Sequence, residues 1–159
     1  MRVRPATVDD VLLIFAFIQK KASFDRDIGA YSGTLAVTEN KLRTMLFGEN
    51  PFAYVIFAEQ LNHTLGFALY GFRFSSFIGQ PSLWLDDLYV DEDRRNDGVG
   101  TMLMSYLAQV AKRHGCTHLA WNADARNIRG LRFYARLGAQ VTEQIGNRCF
   151  LRWEPVEEG

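Results

Sequence analysis

Two adjacent carboxylates, Asp86 and Asp87, lie in the strand-like run "SLWLDDLYV", and an arginine-led glycine turn, "RNDGVGT" from Arg95 to Thr101, follows closely. A carboxylate can take up or return a proton within hydrogen-bond reach. Gly98 and Gly100 lack Cβ, so the backbone there can approach a ligand closely and adopt unusual dihedrals. Behind the turn an amphipathic helix opens. Its first N–H groups and positive end suit an anion, typically a phosphate. The stretch thus encodes an anion cradle beside a candidate base. It is not a Walker loop, because the Gly-Lys-Ser/Thr ending is missing, and the dinucleotide fingerprint fails in its second half. In a regular strand Asp86 and Asp87 face opposite sides, and only a bulge or splay brings both to one site. Spacing leaves open which of them faces a ligand.

Other reactive side chains divide less clearly. Leu131, Phe133, Tyr134 and Leu137 stand at helical spacing and read as a core stripe. The Tyr134 hydroxyl can still reach a cleft from such a stripe. Cys116 and Cys149 make no disulfide framework and have no partner base in sequence, which fits two reduced thiols in a cytoplasmic protein. His114 and His118 are separated by Gly115, and His63 sits in a turn, so no metal site is expected. Formal net charge is zero, and no long block of like charge occurs, against a nucleic-acid binder. The longest apolar run, Val11 to Ile18, is too short to span a bilayer, and no membrane association is expected.

Positioning these groups requires a mixed domain, read as one unit over residues 1–159. "VRPA" reads as a first strand. Thr7 and Asp10 resemble a capping arrangement before a well-buried helix over about Val8 to Ala22. Ser23 to Val37 reads as a loop. Thr38 caps a short helix ending at Phe47. "AYVIFAE" and "TLGFALYGF" flank "QLNH" as a hairpin, and "SLWLDDLYV" follows as the next strand. Val99, Met102, Leu103, Tyr106, Leu107, Val110 and Ala111 predict a helix with one buried face. "THLAWNA" is a strand, Ile128 to Leu137 a helix closed by Gly138, and "QVTEQ" and "RCFLRW" a last pair around Gly146 and Asn147. The class is α/β on one central sheet.

The glycine turn together with "NIRGLRFYARLGA" (Asn127 to Ala139) resembles motifs A and B of the GNAT superfamily of acetyl-CoA-dependent N-acetyltransferases. "VRPATVDD" is similar to that family's opening strand and helix. "GENPFAYVIFAE", "GFALYGF" and "SLWLDDLYV" resemble its diamine (spermidine/spermine) branch, and the likeness runs from Val3 to about Trp153. The resemblance implies a central, mostly antiparallel sheet with helices on both faces. It implies acetyl-CoA as co-substrate, with main-chain groups of Leu88, Tyr89 and Val90 along the pantetheine arm. Arg95, Asn96, Asp97, Gly98, Val99, Gly100 and Thr101 would wrap the pyrophosphate, and Asn127 would touch the cofactor near the pantetheine. Tyr134 matches the general acid, and Asp86 falls where the branch carries a glutamate base. Asp87, Asp25 and Tyr31, with Asp27 and Glu39, would flank a cleft for a small cationic amine, a polyamine or lysine-like amino acid. As residues, Phe72, Phe74 and Phe77 offer an apolar channel for a methylene chain, or sheet core, the commoner fate of such side chains. A homodimer is also implied. Asp97 is acidic beside the expected pyrophosphate, and its alternative role is a helix N-cap turned away from it. Two other readings are acetylation of a protein N-terminus or lysine, and a CoA-binding sensor without turnover.

Overall fold

The computed structural model describes residues 1–155; the last four residues of the expected 1–159 unit lie outside them. Seven strands form one sheet in the order β1-β2-β3-β4-β5-β7-β6. They are β1 (Arg2–Pro5), β2 (Tyr54–Gln60), β3 (His63–Ser75), β4 (Gln80–Val90), β5 (Leu119–Asp124), β6 (Gln140–Ile145) and β7 (Arg148–Trp153). Every neighbouring pair is antiparallel except β4 and β5. The β2–β3 hairpin turns through Leu61 and Asn62, both at positive φ, within the predicted "QLNH".

Helices cover both faces. α1 (Val11–Asp27) and α2 (Glu39–Phe47) pack Val11, Ile14, Phe17, Leu42 and Leu46 against Val55, Phe57 and Phe67. α3 (Val99–Arg113) and α4 (Ile128–Leu137) cover the opposite face, where Leu103, Met104 and Leu107 meet Ile56, Leu83, Leu85 and Trp121. Strands buried on both sides read as continuous apolar runs, and "VIFA" of β2 is one. The caps are those the sequence signals. The Thr38 hydroxyl accepts from Lys41 N–H at 3.1 Å, and the Thr7 N–H donates to the Asp10 carboxylate at 2.7 Å. Gly138, at φ +96°, closes α4 in the left-handed form that favours glycine.

One boundary differs from expectation. A 3₁₀ turn at Val8–Asp10 precedes α1, and α1 runs to Asp27 rather than Ala22. The extra turn carries the Lys21–Asp25 pair, at helical i,i+4 spacing, and Gly29 at φ +80° follows it. Asp25 and Asp27 therefore belong to a helix end rather than a loop.

Candidate active site

The site begins with a defect in β4. Leu69 of β3 pairs with Asp87, and the next residue, Tyr70, pairs with Leu85, so Asp86 is an extra residue. Such a bulge breaks the strict alternation of a strand. Pro81 O and Leu83 N–H bond towards β5, through Thr117 and His118, whereas Asp91 N–H bonds to Leu65 of β3. Odd-numbered residues thus face β5 before the bulge and β3 after it. Beyond the bulge the main-chain groups of Leu88 and Val90 point away from β3, and those of Tyr89 are directed to it. Of the three residues expected along the pantetheine, two have open main-chain groups. The Val90 carbonyl already accepts from Arg95 Nε at 3.1 Å, which leaves its N–H on the open edge.

That edge stays open because β4 and β5 pair only at Leu83–Leu119 and Trp84–Ala120. The two strands then part, and a cavity of about 860 Å³ lies where they separate. It is lined by Leu85 to Val90, by Arg94 to Asn96 and Gly98 to Thr101, and by Asn127, Phe133 and Tyr134. Asp86 and Asp87 both line it, so the bulge brings together what a regular strand would hold apart. Asp86 is exposed and Asp87 half-buried. Burial, then the Asp86 charge, with a smaller push from Asp25 and against the pull of Lys21, brings the Asp87 carboxyl up to about 6. Asp25 and Lys21 line the cavity from α1, joined by contacts of 2.6 and 2.7 Å to both carboxylate oxygens.

Tyr134 is buried, its ring 5.0 Å from Trp121 and 5.5 Å from Phe133. Burial, then the Asp25 and Asp87 charges, push its hydroxyl well above the ordinary tyrosine value, so it keeps its proton. Trp121 also lines the cavity, and its buried indole N–H has no hydrogen-bond partner among the described residues.

The glycine turn has the shape an anion needs. Asn96 is at φ +73° and Gly98 at φ +82°, and a Cβ built on Gly98 would meet nothing within 4 Å. Gly98 is the N-cap of α3, so Asp97 is not. Asp97 instead accepts from Arg94 Nε at 3.0 Å, and Arg94 also donates to Gln60 at 2.7 Å. Its charge is thereby partly answered without a cap. Asn127 caps α4, its side-chain oxygen accepting from Gly130 N–H at 3.0 Å. A Cβ on Gly130 would come within 2.5 Å of the Asn127 amide nitrogen. The cap role was not foreseen, although Asn three residues ahead of Gly at a helix start signals it. Arg129 and Arg136 from the same motif also line the cavity.

Several expected residues lie elsewhere. Tyr31 is outside the cavity lining, its ring 5.0 Å from the Arg26 guanidinium. Asp27 and Glu39 are exposed and outside it too. Phe72 packs on Tyr70 and His114, and Phe74 and Phe77 are exposed at the far end of the β3–β4 hairpin, so no phenylalanine channel forms there. His114 Nδ1 bonds to Val110 O and His118 Nδ1 to Thr117. Among the described residues no group of His, Cys, Asp and Glu is placed to hold a metal ion. Lys21 and Trp121 were missed. Lys21 lay next to the predicted helix end, and Trp121 read only as strand core.

A sheet parted between β4 and β5, with a glycine-turn helix start at the opening, defines an acyl-CoA transferase cleft. The profile of the Acetyltransferase (GNAT) family matches residues 23–139, and the chain belongs to that family. A thialysine N-epsilon-acetyltransferase from Mus musculus is 33% identical over 91% of this chain and 88% of its own length. A human spermidine/spermine N(1)-acetyltransferase-like protein is 27% identical over 87% of this chain and 20% of its own. Among solved structures, an integron cassette protein from V. cholerae superposes with a TM-score of 0.71 at 26% identity, covering 91% of this chain and 89% of that one. The chain is thus a GNAT-type N-acetyltransferase, and the acetyl donor of that family is acetyl-CoA.

Proposed function

We propose that this protein moves an acetyl group from acetyl-CoA to a primary amine of a small cationic substrate, by direct attack within a ternary complex. The carrying observation is the bulge that sets Asp86 and Asp87 together on the cavity formed by the parted strands. An alkyl ammonium has a pKa near 10, so at neutral pH about one molecule in a few thousand is a free nucleophile. A carboxylate must therefore remove a proton. Asp87, held at about 6, is poised for this near neutral pH. Asp86, exposed beside it, attracts the ammonium and is the second candidate for the base. The open N–H of Leu88 or Val90 would hold the thioester oxygen as charge develops on it. The Tyr134 hydroxyl, kept protonated, would supply the proton that the departing thiol needs.

The residues fit the donor. Gly98 and the α3 N-terminus offer free N–H groups and open space to a diphosphate, with Arg95, Asn96 and Gly98 to Thr101 around it and Asp97 outside the lining. The Asn127 amide nitrogen is left over from its cap. When bound, acetyl-CoA supplies an activated acyl group, and no metal is invoked. The relatives' names support a lysine-like amino acid or a polyamine as acceptor. Two free thiols suit a cytoplasmic setting, and the family likeness carries a homodimer, which light scattering would check.

A panel of small amines and peptides with acetyl-CoA, read by thiol release and product mass, tests the function. Turnover of small amines with little on peptides is expected. Transfer to peptides alone would favour the protein-acetylating alternative. Acetyl-CoA binding without any transfer would favour the sensor.

A further inference from the structure

A lysine inside a cleft for cations needs a reason. Lys21 shares the cavity with Asp25, Asp86 and Asp87, and Asp124 and five arginines line it as well. Its ammonium is bound to both oxygens of Asp25 at 2.6 and 2.7 Å, and their side chains are only 22% and 25% exposed. At i,i+4 spacing the two side chains lie on one face of α1. Placed against the amine site, the same fixed ammonium repels every additional cation of a polyamine. It helps binding only where the substrate also brings an anion.

The pair has the pattern of its complement. A carboxylate and an ammonium side by side match the ammonium and carboxylate of an α-amino acid head. We propose that Lys21 and Asp25 read this zwitterionic head, so that the preferred acceptors are amino acids with a distal amine and a free α-carboxylate rather than diamines. Lys21 would take the α-carboxylate and Asp25 the α-ammonium. The distal amine would then lie at Asp86 and Asp87. This rests on the function proposed above and decides between the two acceptor classes that the relatives' names span. The charges acting on Asp87 are those of Asp86, Lys21 and Asp25, and the remaining charged groups of the lining are Asp124, Arg94, Arg95, Arg129, Arg136 and Arg148.

The test pairs each amino acid with its carboxylate-free counterpart: lysine with cadaverine, and ornithine with putrescine, plus Nα-acetyl-lysine amide with both head charges blocked. Values of kcat/KM come from thiol release. Binding to the CoA-loaded protein is measured by calorimetry. Lysine and ornithine should exceed their counterparts and the blocked amide by about tenfold or more. Lys21→Met should shrink that ratio about tenfold, and Lys21→Arg should preserve most of it. Equal use of diamine and amino acid by the native protein would overturn the proposal. So would Lys21→Met lowering both by the same factor, the mark of a merely structural pair. If no transfer occurs but calorimetry shows the preference, the catalytic reading fails and this one stands. If transfer occurs without the preference, this one alone fails.

Discussion

Proton handling rests on two side chains whose surroundings push them in useful directions. Asp87 is an acid whose native value, about 6, exceeds its ordinary 3.8. Below about pH 4 it is protonated in both folded and unfolded chains, and burial costs nothing. As pH rises towards 6 the unfolded form ionises first, so the native state loses stability, and the cost is complete above 6. Asp87→Asn should therefore stabilise the protein at pH 8, by ~1–3 kcal/mol, with the gain vanishing near pH 4. Denaturant melts at both values would show it. The same substitution should abolish the acid limb near pH 6 in kcat/KM while lowering turnover about a hundredfold. If the limb instead disappears in Asp86→Asn, the base is Asp86. Tyr134→Phe should keep fold and acetyl-CoA affinity and lower kcat about tenfold to a hundredfold. Single-turnover thiol release would measure it.

Elements place these residues, and their ends do two jobs at once. Asn127 holds the start of α4 through its oxygen and also lines the cavity. Asn127→Ala should cost about 1 kcal/mol in stability through the lost cap. Asn127→Asp keeps an accepting oxygen and loses the donor. It should melt close to the native protein yet show a raised KM for acetyl-CoA. Equal KM values would remove Asn127 from the cofactor site. Much of this scale was legible. Thr38, Gly138 and the "QLNH" turn carry their punctuation in single residues, and the α3 stripe carries its period. The buried Met104 falls outside the stripe as read, and the half-buried Met102 and Tyr106 form its margin. The bulge at Asp86 was not legible, because it is a mismatch of register with β3 and belongs to two strands together. The last turn of α1 was hidden too. "SFDRD" carries loop-type residues whose helical state depends on what α1 packs against.

Across the whole molecule, Arg4 ties three pieces of chain together at the far side of the sheet. It donates to Asp10 at 2.8 Å and to Glu59 at 2.9 Å, joining β1, the start of α1 and β2. The Arg4 guanidinium holds both carboxyls below the usual range. Groups held low stabilise above their unfolded value near 4, and that contribution is lost as pH falls through the lower native values. Arg4→Met should then lower the melting temperature by a few degrees at pH 7, with the difference shrinking below pH 4. Calorimetric scans across that window would check it. A constant difference would mean that packing, not charge, is what Arg4 supplies. The covering of both faces follows from continuous apolar runs in β2 and β3, which the sequence does display. The parting of β4 from β5 follows from a single pair of contacts and could not be read from either strand alone.

The central claim is acetyl transfer in the gap between those strands. It is tested most directly by mixing native protein with acetyl-CoA and lysine, following free thiol and acetylated amine together. One thiol released per acetylated amine, at a rate that collapses in Asp87→Asn and Tyr134→Phe while both variants still bind acetyl-CoA, is the predicted result. Thiol release at the native rate in both variants would contradict it.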